Sequence, residues 1–331
     1  MILFLLLLCP FVIIPLVMLI ISMLRGSLDD PETLATDLGV IGGIYDYEAP
    51  TAQNDFSLFH DIGAMRGAGA NTSMARWFGS PMHTMLSPKS SWMKSSARQW
   101  VFVMPHIKPS GKVLELGCGR GFHSLNLAGS FPEADFLGVD SVSVFVEEAM
   151  QEAAVYKNVR FQVHNILSDS LEGKFSVIFS VESLCYMDTT KKRIRFMQKI
   201  TGALEKWGCL VIVDGFRSAS FDTKSVELQV VTCLAERGLG IKRAPSKDDW
   251  IEAARGVGLR LVRNVDLTEE AIPFWNQGWR VARSVFRAFP YFARWLVSAT
   301  PQTAANLLVG ATAAFTLRGG AVEYGVLVFR R

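Results

Sequence analysis

The chain has 331 residues, a formal net charge of +3, five cysteines and five histidines, and half of its residues are hydrophobic. That length accommodates one large α/β domain with additions, or two small domains. The small net charge argues against nucleic acid as a partner, and neither the cysteines nor the histidines have the spacing of a metal site or a disulfide framework, so we expect no metal.

The first segment, Ile2 to Leu24, contains no charged residue and has the length of a helix that crosses a bilayer. A cleaved signal peptide and a buried helix are the alternatives, but no Lys or Arg precedes the run and no small-x-small site follows it. We therefore expect a retained single-pass transmembrane anchor at 1–25. Arg25 and the free thiols favour a cytosolic catalytic domain, on the endoplasmic reticulum if the protein is eukaryotic.

Residues 26–100 have no sustained helical or strand period and are rich in Gly, Ser, Met and aromatics, which predicts an irregular and partly helical lead-in that covers the active site. After it, short apolar runs alternate with amphipathic segments. We predict strands at 112–116, 134–140, 159–165, 175–180, 208–216, 259–267 and 321–331, and helices at 122–131, 141–156, 189–207 and 247–258.

This alternation predicts one α/β domain over 101–331, with a doubly wound, seven-stranded, Rossmann-like sheet and helices on both faces. Two segments do not fit the alternation, at 217–245 and 268–320. We expect both to be lid insertions that build a pocket wall at the carboxyl ends of the strands.

The stretch "VLELGCGRGFH", Val113 to His123, is the most specific motif in the chain. A nicotinamide site takes G-x-G-x-x-G, but Phe122 stands where the third glycine of that pattern falls. A Walker loop is excluded because no G-K-[ST] follows. "LELGCGRG" instead resembles the first motif of class I S-adenosylmethionine (SAM)-dependent methyltransferases.

The resemblance continues in register through "FLGVD", "VHN" and "FSVIFSVESLCYMD", which follow the second, third and fourth predicted strands. It implies SAM as the cofactor, with Glu115 at its amino acid end, Asp140 on the ribose hydroxyls, and Asn165 at the adenine. Cys118 is interpreted as a small filler in the loop. The implied cofactor-binding residues are Glu115, Gly117, Cys118, Gly119, Gly121, Asp140, Ser141, Asn165, Ile166 and Ser180.

Within the class, "SVESLCYMD" is similar to the small-molecule and lipid branch that includes sterol and tocopherol methyltransferases, in which Glu182 and Cys185 have counterparts. "LTEEAIPFWNQGW", from Leu267, resembles the start of their lid insertion, but their aromatic-glycine signature ahead of the first motif is absent. Residues 280–317 interleave aromatics with arginines and then become nearly charge-free, which fits a membrane-surface element or the helices of an apolar pocket wall.

Three residues are candidates for catalysis: Glu182, Tyr186 and His164. Glu182 could accept a proton or stabilise a cation in C-methylation, or it could orient the cofactor or cap the next helix. His164 could equally be a structural residue.

The sequence therefore predicts a membrane-anchored methyltransferase of a lipophilic small molecule, such as an isoprenoid, a sterol or a quinone-like compound. O- or N-methylation of a more polar metabolite and a catalytically silent scaffold are the alternatives. The bilayer is an expected partner, and the oligomeric state is not encoded.

Overall fold

The computed structural model describes residues 102–238, 241–272 and 312–331, together with Gln99 and Trp275. The anchor predicted at 1–25, the lead-in at 26–100 apart from Gln99, and most of the insertion at 268–320 lie outside the described residues. Within the described ranges, no helix combines the length and the apolar character needed to cross a membrane.

The described strands form one seven-stranded sheet in the order β3-β2-β1-β4-β5-β7-β6. β7 runs antiparallel to both of its neighbours, β5 and β6, and the other strand pairs of this sheet are parallel. The strands are β1 (Lys112–Leu116), β2 (Asp135–Asp140), β3 (Val159–Val163), β4 (Phe175–Val181), β5 (Leu204–Arg217), β6 (Arg260–Asp266) and β7 (Val322–Arg330). The helices are α1 (Phe122–Ser130), α2 (Ser143–Ala153), α3 (Thr190–Ala203), α4 (Val226–Gly238) and α5 (Lys247–Arg255).

Two apolar cores lie on the two faces of the sheet. One contains side chains of α1 and α2, such as Leu127 and Val146, and the other contains side chains of α3 and α5, such as Phe196 and Trp250. Every residue of β4 is buried, as expected for a parallel strand covered on both faces. The predicted doubly wound sheet with helices on both faces is thus confirmed.

Two helices begin at the cap residues that their sequences contain. The Thr189 hydroxyl accepts a hydrogen bond from the Lys192 amide at the start of α3. Ser246 and Asp249 form a reciprocal capping box at the start of α5. These caps fix the residues at which α3 and α5 begin.

The prediction of one helix over 189–207 was wrong at its end. Helix α3 ends at Ala203, and residues 204–207 begin β5. Leu204 pairs with Phe175 of β4, and Trp207 has a φ of 68°, which a helix cannot contain. Pairing with β4 therefore overrides the helical propensity of "LEKW".

Parts of the two predicted insertions, 222–238 with α4 and 312–321, lie in a second compact unit, whereas 217–221, 241–245 and 268–271 belong to the unit that contains the sheet. A methyl group on Gly319 would lie 2.5 Å from Cδ2 of Leu228. A methyl group on Gly320 would lie 3.2 Å from Nζ of Lys224. Segments about ninety residues apart in the chain therefore pack closely on each other within this unit.

Candidate active site

The glycine loop joins β1 to α1 at the carboxyl edge of the sheet. Gly117, Gly119 and Gly121 all have positive φ angles, of 68°, 50° and 81°. A methyl group on Gly119 would meet no atom within 4 Å, so this part of the loop leaves space for a ligand to approach its backbone. The loop is thus open at Gly119.

Asp140 ends β2 beside this loop. Its Oδ2 accepts a hydrogen bond from the Gly119 amide at 2.9 Å, and its Oδ1 accepts one from the Val142 amide at 3.0 Å. Each carboxylate oxygen can accept a further hydrogen bond. Asp140 is therefore fixed against the loop while it keeps acceptor capacity for a diol.

Glu115 is buried and its carboxylate is directed to the start of α1. Its Oε2 accepts hydrogen bonds from the Ser124 amide at 3.0 Å and the Ser124 hydroxyl at 2.5 Å. The N-cap residue, Gly121, has no side chain to supply this acceptor. Glu115 thus caps α1 from the preceding strand and places a negative charge at the helix N-terminus, where it is favourable. Its contact with the cofactor stays a prediction.

Cys118 lies in the loop between Glu115 and Asp140 and is buried. Burial, and then the two nearby carboxylates, raise the pKa of its thiol well above the usual range. A protonated thiol is a poor nucleophile. The structure therefore supports the interpretation of Cys118 as a filler.

The carboxyl end of β3 carries the residues predicted at the adenine. Asn165 is exposed, and its side-chain oxygen accepts from the Leu167 amide at 2.9 Å, while Ile166 packs against the apolar core. His164 is buried, and its Nε2 has no hydrogen-bond partner among the described residues. An unpaired buried nitrogen at this edge can accept or donate a bond to a ligand. Ser141 is exposed after Asp140.

Ser180 at the end of β4 connects this strand to the glycine loop. Its hydroxyl lies 2.6 Å from the Ser183 hydroxyl, which donates to the Leu116 carbonyl at 2.9 Å. A methyl group on Gly117 would lie 2.2 Å from Ser183 Oγ. The turn after β4 and the turn after β1 are therefore in direct contact.

Glu182 follows β4 with a φ of 51°, in the left-handed region that non-glycine residues rarely adopt. Its Oε1 accepts hydrogen bonds from the Tyr324 hydroxyl at 2.6 Å and from Gln99 Nε2 at 3.0 Å. Gln99 Nε2 also lies 2.6 Å from the Tyr324 hydroxyl. Burial, and then the charge of Glu182, raise the pKa of Tyr324 well above its usual range. Tyr324 therefore stays a hydrogen-bond donor to the carboxylate.

A second carboxyl group, Asp214, lies near the end of β5 and is buried. Its Oδ2 accepts from the amides of Leu184 and Cys185 at 3.0 and 3.1 Å, and its Oδ1 accepts from the Gly215 amide. Burial, and then the charge of Glu182, raise the pKa of Asp214 to about 7. The two carboxyl groups thus interact electrostatically at one edge of the sheet.

The structure brings together most of the predicted residues at the carboxyl ends of β1, β2 and β4. Tyr186 lies in a short 3-10 turn after Glu182, where its carbonyl accepts from Lys192. Sequence reasoning missed Gln99, Asp214 and Tyr324. Of these three, only Asp214 could have been predicted from the sequence. It is an acidic residue near the end of a predicted parallel strand, which places it at the same sheet edge as Asp140.

The residues present fit SAM. The loop is open at Gly119, Asp140 offers acceptors beside it, and His164 has an unpaired buried nitrogen. With the sheet order described above, this loop defines the class I SAM-dependent methyltransferase fold. No group of three or more His, Cys, Asp or Glu side chains in the described ranges is arranged to hold a metal ion.

Comparison with known proteins agrees with this class. Residues 107–250 match the model of a methyltransferase domain. Over 80 residues, which are 24% of this chain and 30% of the relative, the sequence is 34% identical to trans-aconitate 2-methyltransferase of Deinococcus radiodurans. The chain spans about a third of the length of the curated relatives that it matches.

Two solved structures show the same fold. The cyclopropane synthase MmaA2 of Mycobacterium tuberculosis has a TM-score of 0.62 at 12% identity, over 82% of this chain and 98% of that chain. Geranyl diphosphate C-methyltransferase of Streptomyces coelicolor has a TM-score of 0.59 at 18% identity, over 86% of this chain and 99% of that chain.

Residues 107–250 therefore match a methyltransferase domain, and the two solved structures show its fold. Solved structures of geranyl diphosphate methyltransferase contain SAM or S-adenosyl-L-homocysteine.

Proposed function

We propose that this chain methylates a lipophilic small molecule of the isoprenoid, sterol or quinone-like type at a membrane. The observation that carries the proposal is the Glu182 carboxylate, held by Tyr324 and Gln99 in the turn that contacts the glycine loop. An apolar substrate offers few groups that ionise, so a methylated carbon must lose its proton to a base that the protein supplies. Glu182 is such a base.

When bound, SAM supplies a methyl group that is already activated on a sulfonium. The protein residues have two other tasks. The glycine loop and Asp140 hold the cofactor in one orientation, which lowers the entropic part of the barrier. Methylation of one alkene carbon leaves a cation on the other, and the Glu182 carboxylate accepts the proton that the methylated carbon then releases, which restores the double bond. Tyr324 and Gln99 fix the orientation of that carboxylate.

Two further observations favour a lipophilic acceptor. Residues 280–317 carry aromatics and then a nearly charge-free run. Among proteins of the same fold, one is described as a geranyl diphosphate C-methyltransferase and another as a mycolic acid cyclopropane synthase.

The membrane location rests on the uncharged segment from Ile2 to Leu24. We propose that it anchors the protein as a single transmembrane helix, with the catalytic domain in the cytosol. Such an anchor would keep the site close to substrates that partition into the bilayer.

A second candidate function is O-methylation of a carboxylic acid. The curated relatives matched over short stretches include trans-aconitate 2-methyltransferase and a malonyl-[acyl-carrier protein] O-methyltransferase of Bacillus anthracis. A carboxylate is already deprotonated, so this reaction needs no base at Glu182. The role of Glu182 therefore separates the two candidates.

The test is a transfer assay with the full chain in detergent, methyl-labelled SAM and a lipid extract of the source cells. Asp140→Ala removes the acceptor beside the glycine loop. Asp135→Ala is the matched control, because Asp135 lies at the opposite end of the same strand in an exposed ion pair with Arg160. The label is then partitioned between organic and aqueous phases.

The proposal expects label in the organic phase with the wild type and Asp135→Ala, and none with Asp140→Ala. Label confined to a methylated carboxylic acid in the aqueous phase would favour the second candidate function, O-methylation. Binding of SAM without transfer to either phase would contradict both and indicate a scaffold.

A further inference from the structure

The turn after β4 adopts a strained conformation at the residue proposed for catalysis. Glu182 has a φ of 51°. A non-glycine residue in this region is strained and persists only where the surroundings enforce it. The contacts that enforce it therefore bear on the function of Glu182.

Three backbone groups of this turn are bonded to β5. The Glu182 amide donates to the Val213 carbonyl at 2.8 Å. The amides of Leu184 and Cys185 both donate to Oδ2 of Asp214. The Val213 carbonyl belongs to the backbone, whereas Asp214 holds the turn through its side chain.

The ionised carboxyl group of Asp214 is energetically unfavourable at its position in β5. It is buried, and it interacts with the charge of Glu182, which destabilises its ionised form. A buried apolar residue at this position of β5 would avoid that cost. The bonds to Leu184 and Cys185 are the compensating contacts, and both act on the turn that carries Glu182.

We infer that Asp214 is a positioning residue, which holds the turn through the amides of Leu184 and Cys185 so that the Glu182 carboxylate reaches Tyr324. The inference rests on the proposed function, because it assigns Glu182 a role in methyl transfer. Asp214 itself contacts the turn and not the reacting atoms.

The first test measures hydrogen–deuterium exchange of the peptide that contains Leu184 and Cys185, in the full chain in detergent. Asp214→Ala should increase its exchange rate at least tenfold. Asp135→Ala is the matched control, because this aspartate begins β2 in an exposed ion pair with Arg160, at the opposite end of the sheet's parallel strands from the turn. Unchanged exchange in Asp214→Ala would overturn the inference, whether or not the enzyme is active.

The second test is a double-mutant cycle on kcat with the lipid acceptor. Asp214→Ala alone should lower kcat about tenfold or more, because the amides of Leu184 and Cys185 lose their acceptor, with the KM for SAM unchanged. In a Glu182→Gln background it should lower kcat by less than twofold, since the residue through which it acts is already disabled.

An equal effect of Asp214→Ala in both backgrounds would show a general structural role and overturn the inference. Wild-type protein that transfers no methyl group would instead contradict the proposed function, and the exchange measurement would then decide the inference on its own. The two failures are therefore distinguishable.

Discussion

The two halves of the candidate site are built in different ways. At the ends of β1 and β2, carboxylates bond residues nearby in the chain: Glu115 and Ser124 are 9 residues apart, and Asp140 and Gly119 are 21 apart. At the ends of β4 and β5, Glu182 bonds Gln99 and Tyr324, which are 83 and 142 residues away.

The electrostatics of the two halves differ as well. Near the glycine loop, backbone amides satisfy Asp140, and the N-terminus of α1 stabilises the charge of Glu115. Near β4, burial of Asp214, and then the charge of the half-buried Glu182, raise the pKa of Asp214. The first half suits binding of a cofactor, and the second suits transfer of a proton.

The largest expected effect comes from Glu182→Gln. Gln keeps an acceptor for Tyr324 but cannot take a proton, so kcat should fall by roughly 10²- to 10⁴-fold, the usual contribution of a general base. SAM affinity, measured by calorimetry, should stay within threefold. Glu323→Gln, at the neighbouring residue of Tyr324 on β7, is the control for the same chemical change. A kcat within threefold of the wild type would contradict the assignment of proton transfer to the half of the site at β4 and β5.

Gly121→Ala tests the rigidity of the cofactor half. Its φ is 81°, and a methyl group there would lie 2.5 Å from Cζ of Phe161. Strain and overpacking should together lower the free energy of unfolding by about 2–4 kcal/mol. Gly258 has the same φ of 81° but no atom within 4 Å of its methyl position, so Gly258→Ala should cost only about 1 kcal/mol. Thermal unfolding curves of both variants measure the difference; equal losses would show that Phe161 does not confine the loop.

Tyr324→Phe sharpens the account of the proton-transfer half. It removes the hydroxyl that donates to Glu182, and loss of a hydrogen bond to a charged group should lower kcat roughly 10- to 100-fold. The KM for SAM should not change. Tyr156→Phe, at a partly buried tyrosine of the apolar core, is the control. A rise in the KM for SAM with constant kcat would place Tyr324 in the cofactor half instead.

The smallest effect is a pH dependence of stability. Between its ordinary pKa of 3.8 and about 7, Asp214 holds a proton in the folded protein that the unfolded chain has released. The stability that this proton contributes to the fold is thus complete below pH 3.8 and is lost as the pH rises through 7. The free energy of unfolding should fall by about 1 kcal/mol between pH 6 and 8. Denaturation midpoints at the two pH values measure this slope. Asp214→Asn should flatten it; the same slope in wild type and variant would show that another group titrates.

The glycine loop, Asp140 and the alternation of strands and helices were predictable because they depend on short stretches of sequence. The partners of Glu182 were not, since Gln99 and Tyr324 meet it only after the whole sheet has formed. Residues 204–207 show the same limit: "LEKW" has helical propensity, and only its pairing with β4 makes it a strand. The capping role of Glu115 was missed because it depends on the side chain of Ser124.

The most direct test of the central claim is calorimetric titration of the full chain in detergent with SAM. The account predicts that the wild type and Asp135→Ala bind SAM with the same Kd, and that Asp140→Ala binds at least tenfold more weakly, as loss of an acceptor to a buried diol requires. A wild-type protein that does not bind SAM, or an Asp140→Ala variant with an unchanged Kd, would contradict it.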